Sequence, residues 1–587
     1  MNAKIYSFQN AKFCPNFCLN LSTDAIEKRG IKPIQEILDR TGGWPVAMPF
    51  NKWDPDKTPW QRIDKEYMIL IGNSAFYNLE YEIDLNNTKR YVLTIDQATE
   101  YPLSRKRLFV NMFEMFLYDD DQYTLGIFRM IQAFAREKGY VLNRRHLIID
   151  VVEMLYFELE LLEIIENGKE SHTVSDNFER MTIEQLQKWY DNSGVNTSTA
   201  KIDFLEMIQY SFKMANIDIN SSEPIIVYNP IFLHKLATLL GKTSRRVLVN
   251  YVQWNMIDKF LLYTTQEMRD IKFEMSLSSY NVSNFIPRWE ICANNIRMKN
   301  AVSYMFVKEY ISDNVIHQAT KMVEGMKEEL GHRINRTHWL SSSIKEKLME
   351  KLDNLQTQIG YPDWYKDNAA VIRYYDGLQI GSDYFQNILN CEKNELLKSL
   401  TEFRETVIRD KWLDFPITFI MISVIPAAEL QDPYFTHILP DAINYGTIGF
   451  VIGHELSHSF DNEEICLCFI QEYDLIKRVT KSHGIPKTYQ KNSRNNRCVL
   501  SISITIIYLM SQTKMGNPLS TIYIQLNGYL TEDENMADSI GIQIAYSTYK
   551  KIAKQKPQTK LPGLENITND ELFFLSFANS NFNLKIG

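Results

Sequence analysis

The stretch VIGHELSHSFD at residues 451–461 constrains this chain more than any other part of it. Its two histidines, His454 and His458, stand four residues apart, which on an α-helix means one face and about one turn. Imidazoles spaced in this way converge on one point, and that point suits Zn²⁺, which readily takes His nitrogens in tetrahedral sites. Glu455, offset by one position, can reach water on the open side of such an ion and take its proton as a general base. With 10 His in 587 residues, chance yields the pattern on the order of 0.01 times per chain. The stretch therefore reads as a helix that offers two metal ligands and waits for a third.

A catalytic zinc keeps three protein ligands and one open position, so the third ligand must come from elsewhere. In the pattern HExxHxxGxxH it lies six residues past the second histidine, here Glu464, and a glycine at 461 turns the chain; residue 461 is Asp, and that reading fails. Glu534, within LTEDENMAD at residues 530–538, is the better candidate. A helix starting there puts Glu534 and Asp538 on one face, with Glu534 on the metal and Asp538 behind. In that second position Asp538 accepts the free N–H of a ligating histidine, which fixes its tautomer and raises its basicity. Judged on spacing alone, Glu534 fits equally well as the N3 carboxylate of a capping box with Thr531, which leaves Asp538 a solvated residue.

The rest of the chain narrows the class. Hydrophobic residues make up 45% and charged residues 23%, proportions of a globular chain that exclude collagen-like, coiled-coil or disordered readings. A length of 587 residues means several packing units or two large lobes. Lys+Arg 64 against Asp+Glu 72 leaves a net charge of −8 without a basic stripe, so nucleic acid is not an expected partner, and no partner protein is identifiable. Apolar stripes at helical spacing run through residues 245–276, 300–330 and 341–358, the last preceded by N-cap hydroxyls from Ser341 onward. Strand composition occurs at 91–95 and 225–228, predicting a small sheet, and turn-rich loops at 191–198 and 360–368. The apolar runs at 415–428 and 499–510 are shorter than the ~20 residues that span a bilayer and read as buried elements. The N-terminal residues lack the apolar stretch of a signal peptide. Seven cysteines are too few for a disulfide scaffold, while sequons at Asn20, Asn86, Asn196, Asn220, Asn281, Asn335 and Asn566 lean towards the secretory route. Nucleotide and serine-hydrolase signatures fail: Gly241-Lys-Thr243 has Leu236 where a phosphate loop needs glycine, and G-x-S-x-G does not occur.

These motifs resemble those of the neprilysin-type zinc endopeptidases, the group that includes the endothelin-converting enzymes. The likeness is close at PDAINYGTIGFVIGHELSHSFD (440–461) and ENMAD (534–538), and continues at DAIEKRG (24–30), GGWP (42–45), PRWEIC (287–292), MFVKEY (305–310), IGYPD (359–363) and LFFLSFA (572–578). The resemblance implies His454, His458 and Glu534 as ligands of one Zn²⁺ per chain, Glu455 as catalytic base and Asp538 as the orienting carboxylate. It implies a mainly α-helical, two-lobed zincin-type ectodomain enclosing a central cavity that admits small peptides, with a small sheet near the active site. Residues 1–180 with 415–587 are expected to form the catalytic lobe, read as truncated at both ends, and residues 181–414 the helical lobe covering the cavity. Zinc-dependent endoproteolysis of small peptides, a place at the plasma membrane or outside the cell, and a Cys18–Cys292 disulfide follow from the same likeness. So does a substrate pocket that includes Tyr434, Phe450 and Val451.

Departures from that pattern set up an alternative, a catalytically impaired homologue that binds zinc or peptide. The family continues past the segment matching residues 574–578 with a stretch that supplies an oxyanion-stabilising histidine and an arginine behind the substrate. It also carries an N-terminal membrane anchor that this chain does not show. Residues 413–425, LDFPITFIMISVI, lack the Asn-Ala-Tyr/Phe element that grips a substrate backbone, and residues 464–516 bear little likeness to relatives. Glu429 stands where relatives place an apolar pocket residue.

Overall fold

Short polar side chains open the helices. The hydroxyls of Ser244, Ser312 and Ser341 accept from the backbone N–H groups of Val247, Val315 and Ile344, each satisfying a donor that the first helical turn leaves free. The Ser341 cap is the one its sequence predicts. The structure, a computed structural model, describes residues 23–99, 102, 122–169, 178–280, 295–338, 340–408, 411–412, 424–460, 532–556 and 560–581. Cys18, Cys292 and residues 464–516 lie outside the described residues. Two long apolar stripes turn out to be interrupted. Residues 245–276 form one helix to Phe260, a 3-10 turn Leu261–Tyr263, and a second helix from Gln266; the Thr264 hydroxyl donates to the Leu261 carbonyl at 2.7 Å in the break. Residues 300–330 split at the Ser312 cap into Lys299–Tyr310 and Asp313–Arg336. The apolar pattern runs through such breaks because both halves bury apolar side chains; local capping and turn bonds, not the pattern, mark the boundary.

Two compact units result, Met1–Met298 with Tyr375–Arg409 and Lys299–Tyr374 with Asp410–Gly587. The expected lobes were divided at 180 and 414, and the observed units divide elsewhere. The reason is packing in the first unit: helices Arg144–Lys169 (α1) and Arg245–Phe260 (α2) lie on either side of residue 180 yet share one apolar core. Asp150 and Arg246 join them as a buried bidentate pair at 2.8 and 2.7 Å. α2 is buried on almost every side, with Leu248, Tyr251, Val252 and Trp254 fully buried and Asn250, Gln253 and Asn255 buried beside them. Its buried polar residues hold a loop: Gln253 Nε2 donates to Gly43 O at 2.9 Å and Asn250 Oδ1 accepts from Val46 N at 2.9 Å. That loop is the GGWP segment. Gly42 and Gly43 take left-handed φ of 94° and 88°, which glycine alone adopts readily, and this turns Trp44 onto Trp254 with ring centroids 6.3 Å apart.

The same unit contains a four-stranded sheet of order β1-β2-β4-β3, with β1 Tyr77–Ile83, β2 Tyr91–Gln97, β3 Phe178–Thr182 and β4 Pro224–Tyr228. The two strands predicted from composition are the central parallel pair, with Leu93 opposite Ile225 and Ile95 opposite Val227. β1 and β3 are edges with charged residues, so their sequences give a weak strand signal. Asp84, at the end of β1, is buried between Arg180 and Arg90, and these hydrogen bonds hold its carboxyl down at about 2.

Asp64 is the opposite case. Fully buried, it is met by neutral donors, the Ala75 N–H at 2.7 Å and the Ser74 hydroxyl at 2.6 Å, and burial pushes its carboxyl up from 3.8 to about 6. That rise is worth about 3 kcal/mol of pH-dependent stability. The folded state holds this proton more tightly than the unfolded chain, so the contribution is full below pH 4 and is lost as pH rises through about 6. Compared with Asp64→Asn, wild type is therefore expected to lose about 3 kcal/mol between pH 4 and pH 8 in urea titrations. A gap that does not change with pH would show that Asp64 is charged throughout.

In the second unit, helices Asp313–Arg336 (α3), Asp441–Gly446 (α4), Ile448–His458 (α5), Glu532–Gln555 (α6) and Asn569–Asn581 (α7) surround a separate core that includes Val323, Met326, Ile452, Ile544, Tyr549 and Phe573. A parallel pair of short strands, β5 Gln358–Gly360 and β6 Val424–Pro426, lies in the same unit. α3 grips α6 through Arg333, whose guanidinium donates to Gln543 O at 3.0 Å and Ser547 Oγ at 2.8 Å, and through Glu329, 2.7 Å from Lys551. Among the described residues no helix is long and apolar enough to cross a membrane.

Candidate metal centre

Thr447 separates α4 from α5. Its hydroxyl donates to Tyr434 O at 2.5 Å and Ile443 O at 2.9 Å, and the Ile448 N–H follows onto Tyr434 O at 3.4 Å. The start of α5 is thus tied to the 430–436 segment, which Asn444 also holds through both backbone groups of Thr436, at 3.0 and 2.7 Å. From that anchor the 3.6-residue period sends Ile452 and Leu456 into the core and turns His454, Glu455 and His458 another way. On α6, Met536, Ala537, Ile544 and Ala545 are buried, while Glu534 and Asp538 share a more exposed face.

The two faces meet. His454 Nε2 and His458 Nε2 are 3.0 Å apart. One oxygen of Glu534 lies 3.3 Å from His454 Nε2 and the other 3.7 Å from His458 Nε2. Donors bound at 2.0–2.1 Å to one tetrahedral ion lie about 3.3 Å from each other, and here one ligand atom from each of the three residues lies within 4.8 Å of the others, close enough to converge on one zinc. Their chemistry fits too, two imidazole nitrogens and a carboxylate oxygen. Asp538 Oδ1 accepts from His454 Nδ1 at 2.9 Å, which leaves the lone pair on Nε2, the atom that faces Glu534. The capping-box alternative leaves the Glu534 carboxylate on its own helix end; here it points at the histidines. Glu455 is half-buried, and burial pushes its carboxyl above the usual range, a rise that the imidazoles of His454 and His458 oppose and Glu534 reinforces.

The remaining expected residues fall around this centre in different settings. Phe450 lies one turn before His454, with ring centroids 6.2 Å apart, and is buried against Phe577 of α7 at 4.7 Å. Val451 is half-buried, and the Tyr434 side chain is exposed while its carbonyl caps α5. Glu429, at the end of the short turn after β6, is half-buried with its carboxyl pushed up by burial. Two features escaped the sequence reading: the packing of Phe577 on Phe450, and a backbone-to-backbone contact between α5 and α6 at Gly453 and Gly541. Gly541, three residues after Asp538 on the same helical face, was the available signal for the second.

Residues 7–362 and 420–584 each match peptidase family M13. Mouse membrane metallo-endopeptidase-like 1 is 26% identical over 97% of this chain and 72% of its own length. Human endothelin-converting enzyme 1 is 26% identical over 96% of this chain and 68% of its own, and neprilysin of Pongo abelii 26% over 98% and 75%. In fold, the chain is similar to the inhibitor-bound crystal structure of Mycobacterium tuberculosis zinc metalloprotease Zmp1, with a TM-score of 0.72 at 18% identity over 99% of this chain and 82% of that one. PepO from Lactobacillus rhamnosis HN001 superposes with a TM-score of 0.65 at 16% identity over 98% and 80%.

Proposed function

The chain belongs to peptidase family M13 and is a zinc metalloendopeptidase, and from that premise we propose that it hydrolyses small peptides at the centre formed by His454, His458, Glu534, Glu455 and Asp538. One observation carries the assignment of residues: two imidazole nitrogens 3.0 Å apart on one helix face the Glu534 carboxylate of another, whose two oxygens lie 3.3 and 3.7 Å from them, while Asp538 holds the outer nitrogen of His454 at 2.9 Å.

A bound Zn²⁺ supplies a Lewis acid for the scissile carbonyl and makes a neighbouring water acidic near neutral pH. His454 and His458 would hold it through Nε2 and Glu534 through its carboxylate. Asp538 keeps the Nδ1 proton of His454 in place, so the imidazole stays in the ligating tautomer. Glu455 takes a proton from the attacking water on a carboxylate oxygen and delivers it to the leaving amine. Burial favours that proton on Glu455 between the two transfers. Tyr434, Phe450 and Val451 are our assignment for the apolar side of the substrate pocket, with Glu429 a polar group at its margin.

A place at the cell surface or outside the cell is supported by the family likeness and by the exposed sequon residues Asn86, Asn196, Asn220, Asn335 and Asn566. The function is tested with the purified chain and an internally quenched peptide, with and without a zinc chelator. Cleavage that the chelator abolishes and zinc restores is the expected result. A folded, zinc-loaded chain that cleaves no peptide would replace this reading with that of an impaired homologue.

A further inference from the structure

α5 and α6 cross at van der Waals limit, and two glycines make the crossing possible. A Cβ at Gly453 would stand 2.5 Å from Gly541 O and 2.9 Å from Gly541 Cα; one at Gly541 would stand 2.5 Å from His454 N and 2.9 Å from His454 Cα. Neither glycine takes a positive φ, so space, not backbone conformation, calls for glycine at both positions. The crossing lies next to the centre. Gly453 precedes His454, and Gly541 continues the face of Glu534 and Asp538 at i, i+4 and i+7. Asp538 is about 4.5 Å along the axis from the crossing, and Glu534 about 10 Å. Whatever sets the helix separation at Gly541 therefore sets the reach of both carboxylates towards His454.

We propose that Gly453 and Gly541 are a positioning pair that fixes the separation of the two ligand-bearing helices and thereby the affinity and geometry of the metal centre. The inference rests on the zinc reading above and adds the residues that tune it. An added methyl must gain about 1 Å to reach ordinary contact distance, against a tolerance of about 0.2 Å in ligand distances. The helices cannot yield freely, because Arg333 holds α6 at Gln543 and Ser547 and Thr447 holds the start of α5. The displacement is thus taken up where the side chains are most exposed, at Glu534 and Asp538, whose side chains are 64% and 57% accessible.

The test compares wild type, Gly541→Ala, Asp538→Glu and the double variant, all as full chains, by zinc competition with a chromophoric chelator and by the visible spectrum of the Co²⁺ form. Gly325→Ala is the control, since its Cβ would meet a side-chain methyl of Thr548 on α6, at 3.3 Å, and no backbone. Gly541→Ala is expected to keep its helical circular dichroism, to bind zinc about 10–100-fold more weakly and to alter the Co²⁺ spectrum, with Gly325→Ala unchanged. In the double variant, the longer carboxylate of Asp538→Glu regains His454 and recovers most of that loss, whereas alone it weakens binding. A folded Gly541→Ala with wild-type affinity and spectrum overturns the proposal. Should Gly541→Ala not fold, Asp538→Glu alone decides: unchanged zinc affinity means the separation is not tightly set, and the proposal fails. Wild type that binds no stoichiometric zinc sinks the metal reading itself, a separate outcome.

Discussion

Glu455→Gln is expected to lower peptide turnover by about 10²–10⁴-fold, the range a positioned general base contributes, while one zinc per chain remains bound. The residue is adjacent to a ligand yet outside the ligand set: the donor atoms that converge belong to His454, His458 and Glu534. Glutamine keeps the size and the hydrogen-bonding oxygen but cannot accept a proton at neutral pH, so the substitution removes proton transfer and leaves packing intact. It also removes a half-buried carboxyl whose charged form burial disfavours, so folding stability is expected to hold or rise slightly. The effect belongs in kcat, with KM little changed, because the group acts on the water and the leaving amine, not on the bound ground state. Turnover within a few-fold of wild type in a zinc-loaded variant would remove Glu455 from the mechanism.

How much of this was legible beforehand depends on the distance over which the information is carried. His454, Glu455 and His458 lie within one helical turn, so spacing alone places them together. Glu534 is 80 residues from His454, and local pattern left it balanced between ligand and helix cap; the family likeness tipped that balance, and the structure then set its carboxylate on the imidazoles. Asp538 came with it, because a helix that presents one presents the other. Gly541 could not be read in the same way, since its constraint is a backbone on another helix. The fold shows the same gradient. Strands β2 and β4 are apolar and central and were visible, whereas β1 and β3 carry Glu80, Glu82, Glu179 and Arg180 and were not. Where the compact units divide is hard to read locally for a related reason: which helices share a core with α2 is decided by contacts such as Asp150 with Arg246, 96 residues apart.

Glu534→Ala separates the two readings that spacing left open. As the N3 residue of a cap, Glu534 would contribute on the order of 1 kcal/mol to the start of α6, and its loss would leave metal binding untouched. As a ligand 3.3 Å from His454 Nε2, its loss removes one of three donors, and zinc affinity is expected to fall by more than the about 10–100-fold that an outer partner costs. Stability without metal should stay within about 0.5 kcal/mol, since the side chain is 64% accessible. Asp538→Ala supplies the scale. It removes the acceptor 2.9 Å from His454 Nδ1 and leaves all three donors, so it should weaken zinc by about 10–100-fold and allow the metal to be restored at higher concentration. The order of affinities, wild type above Asp538→Ala above Glu534→Ala, follows from a ligand that contacts the ion and a carboxylate that acts through an imidazole. Equal zinc content in wild type and Glu534→Ala after dialysis against a weak chelator would return Glu534 to the helix cap and leave the third ligand to be found elsewhere.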